Sequence, residues 1–232
     1  MTGKTPTTDP RIDQYPLFIS YPRTGSHWIN AVMELYFDRP RLRERRTTFM
    51  DKSRTDWMWF HDHDHPRLDI ARNADLYLYR DPVETVFSYL NYQHNEAMRK
   101  PFFGRREKKA FTDFDAAEIE AECRSYRANL EKWLAPGRSR AAVRHDRFKS
   151  DRHGEFRKIT DVFGQPFDAA RCDAAFSRVT QEALVEQMGD RIPLGKHMLS
   201  DDYRTGREHF RETWSARVRE ICCAGSLAAW FD

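Results

Sequence analysis

The sequence predicts an α/β fold: a single domain with a mostly parallel central sheet flanked by helices, organised around a P-loop-like strand-loop-helix junction. Three observations carry this. Short apolar or aromatic runs at 17–21, 56–60, 75–80 and 140–144 alternate with segments whose apolar residues recur every three or four positions. Breakers fall between them, at Pro22 and Gly25, at Pro82, and at Pro136 and Gly137. Alternating strands and helices favour parallel strands joined by crossover helices.

The length of 232 residues, with 40% hydrophobic and 32% charged residues, suits one domain with a sizeable core and a wet surface. Residues 1–16, polar and ending at Pro16, are expected to form a flexible tail, and residues 17–232 the domain. Thirty-nine basic against 36 acidic residues leave a formal charge of +3, too near balance for general nucleic-acid binding. Cys123, Cys172, Cys222 and Cys223 have neither metal-ligand nor disulfide spacing and fit a reducing cytoplasm. No apolar run approaches the roughly 18 residues of a membrane span, and the N-terminus lacks a signal-peptide core, so a soluble, cytoplasmic protein is expected. Nothing in the sequence speaks to oligomeric state.

The first strand, Leu17–Tyr21, runs through Pro22-Arg23-Thr24-Gly25-Ser26 into a helix whose Ile29, Val32, Met33 and Leu35 fall at helical spacing. Such a junction turns backbone amides and the positive end of a helix dipole toward the loop, which favours an anion. Arg23 adds a cation, and Thr24 and Ser26 add hydroxyls. An ordinary turn with a solvated arginine is the plainer alternative. The arginines at 39, 41, 43, 45 and 46 read as a solvated face or as part of an acceptor site.

Asp56–Phe60 reads as the second strand, entering His61-Asp62-His63-Asp64-His65. Period-two alternation would put Trp57, Trp59, His61 and His63 on one face, with both tryptophans in the core. A histidine at a strand end, titrating near 6.5, suits proton acceptance near neutrality. A metal is the rival reading, although alternate positions on one short strand seldom close a site.

Asp75–Arg80 is the third strand, and Asp81-Pro82-Val83-Glu84 has the N-cap, N1 proline and N3 glutamate of a helix start. Arg80 at the strand end and Ser88 on that helix would then lie at the carboxyl ends of parallel strands, where open α/β sheets bind ligands. Residues 93–113, polar and basic, read as a lid, a binding loop or a disordered loop. A core helix is expected over 115–134, a strand over 140–144 leading into His145 and Asp146, and helices over 155–163, 169–176 and 181–188. The segment Tyr203-Arg204-Thr205-Gly206-Arg207 reads as a loop before a closing helix through Trp214 and Val218.

In their order and spacing these stretches resemble the sulfotransferase family that uses 3′-phosphoadenosine 5′-phosphosulfate (PAPS). Tyr21-Pro22-Arg23-Thr24-Gly25-Ser26-His27-Trp28 resembles the family's 5′-phosphosulfate loop, Tyr-Pro-Lys-Ser-Gly-Thr-Thr-Trp. Tyr79-Arg80-Asp81-Pro82 with Ser88 resembles its 3′-phosphate motif, and Val143-Arg144-His145-Asp146 its Val-Arg-Tyr-Glu strand end. Arg204-Thr205-Gly206 stands where the family carries Arg-Lys-Gly. The likeness spans roughly residues 17–218.

The resemblance implies that Arg23 holds the phosphosulfate, that Thr24, Gly25 and Ser26 donate to the 5′ group, and that Trp28 stacks on adenine. Arg80 and Ser88 would bind the 3′-phosphate, Arg204, Thr205 and Gly206 would close over it, and His145 would stand in for the nucleotide-contacting tyrosine. The family's Lys-x-His segment aligns with His61-Asp62-His63, which makes His63 the candidate base and His61 its substitute. Arg23 replaces the loop lysine and keeps the charge without being able to donate a proton. His27 replaces a frequent threonine, and His61 the lysine. The implied reaction is in-line sulfuryl transfer from PAPS to a hydroxyl or amine, with no metal. The acceptor would be a small molecule, a glycan or a lipid-linked sugar, and the charge of 93–114 and of the arginines near 42 suggests an anionic one. The rivals are a nucleotide kinase, for which the Gly-x-x-x-x-Gly-Lys-Ser/Thr loop is missing, and a polyanion-binding module using the two basic segments.

Overall fold

The structure is a computed structural model that describes residues 12–42, 49–51, 53–65, 69–99, 114–188 and 200–231. Its sheet consists of β1 (Leu17–Ser20), β2 (Phe60–His63), β3 (Ala74–Tyr79) and β4 (Ser139–Arg144), all parallel, in the order β2-β1-β3-β4. The helices are α1 (Ser26–Phe37), α2 (Pro82–Arg99), α3 (Ala116–Trp133), α4 (Arg152–Val162), α5 (Ala169–Arg178), α6 (Gln181–Met188) and α7 (Asp201–Cys222).

Parallel sheets are covered on both faces, so their strands lose polar alternation. β1 is buried at all four positions. Leu17 and Ile19 join a cluster with Phe87 of α2, Tyr126 of α3 and Phe210 of α7, whereas Phe18 joins a second with Ile29 of α1, Phe156 of α4 and Phe176 of α5. The result is a three-layer α/β/α domain. Register places Ser20 beside His63 and Leu78, and Tyr79 beside Arg144, so the four strands present their carboxyl ends along one edge. α3 starts where its chemistry demands: Asp115 accepts from the Ala117 amide at 2.8 Å and forms a capping box with Glu118. All four cysteines are free thiols, and no described helix is long and apolar enough to cross a membrane.

Several expectations are corrected. The second strand is Phe60–His63 instead of 56–60, because Met58 N donates to Pro40 O and Leu42 N to Trp59 O, which ties this stretch to the segment after α1. Trp57 and Trp59 consequently pack into opposite clusters, and only Trp59 is fully buried. α2 runs through the expected break at Gln93 to Arg99, with the His94 ring 5.4 Å from Phe114. Residues 100–113 lie outside the described residues. Arg41 is no surface arginine: it is fully buried, 3.4 Å from Glu34, while Arg43, Arg45 and Arg46 lie outside the described residues. Within the expected tail, Ile12–Gln14 form a 3-10 turn and Tyr15 packs edge-on against Trp57. The loop expected at 203–207 is instead helical. Ser200 accepts from the Tyr203 amide at 3.2 Å and Asp201 and Asp202 fill the first turn, so α7 begins ahead of Arg204.

Candidate functional site

The chain leaves β1 through two left-handed residues, Arg23 at φ 72° and Gly25 at φ 93°. Glycine adopts that conformation freely, whereas for arginine it carries strain of about 1–3 kcal/mol, of the kind that concentrates at functional sites. Thr24 is fully buried, and its hydroxyl donates to the Tyr21 carbonyl at 2.8 Å, so its proton is committed to the turn. Gly25 is the N-cap of α1 and supplies no side-chain cap, and Ser26 follows as the first, buried, helical residue. The first-turn amides and the positive end of the α1 dipole therefore face the loop.

Arg23, partly buried, donates through Nε to Ser88 Oγ at 3.2 Å, and its guanidinium lies 5.4 Å from the Tyr92 ring centre. Burial lowers its pKa, Tyr203 opposes that and the Arg80 charge adds to it; arginine remains a cation at neutral pH regardless. Arg80 Nη1 reaches back to the Arg23 carbonyl at 3.5 Å. The ends of β1 and β3 and one face of α2 thus bring Arg23, Arg80 and Ser88 together. Ser88 accepts from Arg23 and is outside the lining of the adjoining cavity.

That cavity, about 410 Å³, lies between the start of α2, the end of β4 and α7. Six cations (Arg80, Arg144, Lys149, Arg207, Arg211 and Arg219) face three carboxylates there (Asp81, Glu84 and Asp146), so the excess charge is positive. Glu84 accepts from Arg80 Nη2 at 3.3 Å, Arg207 Nε at 2.7 Å and Arg211 Nε at 2.6 Å. Burial pushes its carboxyl up, but the Arg207 hydrogen bond and the three guanidinium charges outweigh this and leave it below the ordinary 4.5. Asp146 accepts from Arg144 Nε at 3.1 Å and from the Asp81 amide at 2.9 Å.

His145 joins cavity and loop. Its ring sits so close over Gly25 that a Cβ there would approach it to well under 3.0 Å. The same ring lies 5.3 Å from Trp28, edge to face, and Trp28 is further held by Nε1 donating to Val179 O at 2.7 Å and by the edges of Phe148 and Phe176. Burial, with the charges of Arg80 and Lys149, pushes His145 down to about 3, so it is neutral at physiological pH.

Of the Arg204-Thr205-Gly206 segment, Gly206 is buried within α7 and Arg204 pairs with Asp201 with its side chain 67% exposed; none of the three lines the cavity. Sequence reasoning missed Arg207, Arg211, Ser215 and Arg219, which do. Their four-residue spacing was the available signal, since it aligns side chains along one helix face.

At the other side of β1, His61 Nε2 lies 2.9 Å from Ser20 Oγ, and His63 Nδ1 lies 3.0 Å from Ser20 O and 3.1 Å from its Oγ. A carbonyl only accepts, so this network assigns the proton to Nδ1 of His63 and the lone pair to Nε2. Burial lowers both histidines, His61 further through His63, and His63 partly through Arg23, whose charge therefore reaches it; His27 adds to the effect on His61. Beneath the loop Tyr21 donates to Glu122 Oε1 at 2.6 Å, and burial raises this carboxyl, also missed by sequence reasoning, to about 7. Among the described residues no three His, Cys, Asp or Glu side chains converge as a metal site would require.

These histidines make stability depend on pH. His61, His63, His65 and His145 all titrate below 6.5 when folded, but near 6.5 when unfolded. Below pH 6.5 the unfolded chain therefore binds more protons, so their contribution, complete above that pH, is lost as the pH falls toward the folded values. The unfolding free energy, and with it the urea midpoint, is expected to fall between pH 7 and pH 5, by about 1.4 kcal/mol per pH unit for each net proton taken up on unfolding. Glu122, raised when folded, offsets one of the four rings. A flat profile in that window would show that these rings are solvated.

No protein-family model matches the chain, and no curated protein does. Among solved structures, that of mouse sulfotransferase SULT7A1 complexed with PAP is similar, with a TM-score of 0.46 and 13% identity over 91% of this chain and 90% of that one.

Proposed function

We propose that this chain is a sulfotransferase that moves a sulfuryl group from PAPS to a hydroxyl or amine of its acceptor. The observation that carries the reading is a pair of adjoining anion sites, the open end of α1 with Arg23 and the arginine-lined cavity, which meet where the His145 ring covers Gly25. A nucleoside with an anionic group at each of two positions matches that pair in charge. The donor supplies the sulfuryl group and a phosphate-bearing leaving group. Arg23 and the loop amides stabilise charge developing at the 5′ end, Arg80 and the cavity hold the 3′-phosphate, and Trp28 with His145 flanks the adenine. His63 Nε2 takes the acceptor's proton, and positioning in line with the sulfur supplies the rest. These roles call for no metal ion.

The test is calorimetric titration with 3′,5′-adenosine bisphosphate, AMP and ATP, on wild type and Arg80→Ala. The bisphosphate is expected to bind at least tenfold tighter than AMP, a difference of about 1.4 kcal/mol, and Arg80→Ala to abolish that preference. A preference for ATP would favour a phosphotransferase. Binding that is indifferent to the nucleotide and falls steeply with salt would favour a polyanion-binding module.

A further inference from the structure

We infer that Arg207 and Arg211 of α7, oriented by Glu84 of α2, bind the phosphate at the cavity end of the ligand, the task the sequence resemblance assigns to Arg204. The ligand's identity rests on the reading above; the location of the anion does not. Residues 207, 211, 215 and 219 are four apart, and all four line the cavity. Arg204 is absent from that lining and is held outward by Asp201.

Glu84 explains how two long side chains from one helix are aimed at one place. Each guanidinium meets a different carboxylate oxygen, Arg207 at Oε2 and Arg211 at Oε1, through its Nε and Nη2 edge. A fork held by that edge keeps its Nη1 amino group for a second anion, and phosphate is the group that paired guanidinium forks suit. Glu84 itself is stable in the first turn of α2, where the helix dipole favours a carboxylate. It also separates three guanidiniums that would otherwise repel one another, and the cavity stays cationic, as a phosphate monoester requires. Arg207 and Arg211 are thus binding residues and Glu84 a positioning residue.

The experiment titrates wild type, Arg204→Gln, Arg207→Gln, Arg211→Gln and Glu84→Gln with 3′,5′-adenosine bisphosphate, AMP and inorganic pyrophosphate, after circular dichroism and thermal melts confirm folding. Arg207→Gln and Arg211→Gln are each expected to weaken the bisphosphate at least about tenfold, the worth of one charge-assisted hydrogen bond, and AMP less than about twofold. Arg204→Gln should leave both unchanged. Glu84→Gln should lower the ratio of bisphosphate to AMP affinity without moving AMP itself, which general loosening of the fold would not do. Loss in Arg204→Gln with retention in the α7 variants would overturn the inference and leave the sulfotransferase reading standing. If wild type binds pyrophosphate but does not prefer the bisphosphate, that reading fails, and the inference stands or falls on whether Arg207→Gln and Arg211→Gln lose pyrophosphate. If wild type binds none of the three probes, both are wrong.

Discussion

Replacing His63 by alanine is expected to cut sulfuryl transfer by roughly a hundredfold or more, the usual worth of a positioned general base, while 3′,5′-adenosine bisphosphate still binds. The expectation follows from the tautomer. With Nδ1 donating to the Ser20 carbonyl, the ring presents Nε2 as an acceptor, and burial keeps it neutral at pH 7. His61 is worse placed, because its Nε2 already faces the Ser20 hydroxyl. The folded pKa lies below 6.5, so the rate should hold from neutrality downward and fall only on an acid limb below that value. Alanine also leaves a partly buried carbonyl without its donor, at about 1–3 kcal/mol. His63→Gln, which can keep a donor but is no base at these pH values, separates folding from chemistry. Near-normal turnover in His63→Gln would remove this residue from the mechanism and turn attention to His61.

The second large effect is expected at Gly25. Alanine there meets two independent penalties: a left-handed backbone at φ 93° and a Cβ driven into the His145 ring. His145 has little room to retreat toward Trp28, which is itself held by the edges of Phe148 and Phe176. A left-handed residue with a side chain costs about 1–3 kcal/mol of stability; where the unbound loop relaxes to escape it, binding must restore the strain, a loss of about five- to a hundredfold in anion affinity. The double variant Gly25→Ala with His145→Ala should recover the steric part and leave the backbone part, so the two single effects should not add. Titration with the bisphosphate and thermal melts measure both. Wild-type affinity in Gly25→Ala would show that the tight seat of His145 plays no part in binding.

The strand-loop-helix junction was legible because its signals agree: an apolar run, then Pro22 and Gly25, then apolar residues at helical spacing. α3 was legible for the same reason, with Asp115 and Glu118 framing a regular stripe. The convergence of Arg23, Arg80 and Ser88 also followed from strand ends and parallel order. The start of α7 was misread because Thr205 and Gly206 look like a turn, while the signals that decide it, Ser200 and two following aspartates, lie just upstream. Arg207 and Arg211 were missed for a different reason, although their four-residue spacing was on view. Charged residues four apart on a helix resemble a solvated face, and only a carboxylate from a distant helix, Glu84, turns them inward. Tertiary pairing of that kind has no local signature. The 56–60 segment failed similarly, since its partner at 40–42 outweighed its own alternation.

The amino end of α1 has a consequence for engineering. α2 and α3 begin with aspartate caps at Asp81 and Asp115, whereas α1 begins at a bare glycine. With φ at 93° and the His145 ring over it, position 25 has no room for a capping side chain, and glycine there gives up only a few tenths of a kcal/mol against serine or aspartate. The fold instead accepts a strained arginine at position 23, where its charge stands over the loop, a local exchange of robustness for recognition. Selection of this chain for heat resistance alone should therefore gather substitutions at Arg23, whose left-handed backbone a glycine would relax, at the cost of the loop's cation. Selection for binding and heat resistance together should leave Arg23 and Gly25 unchanged and find its gains elsewhere.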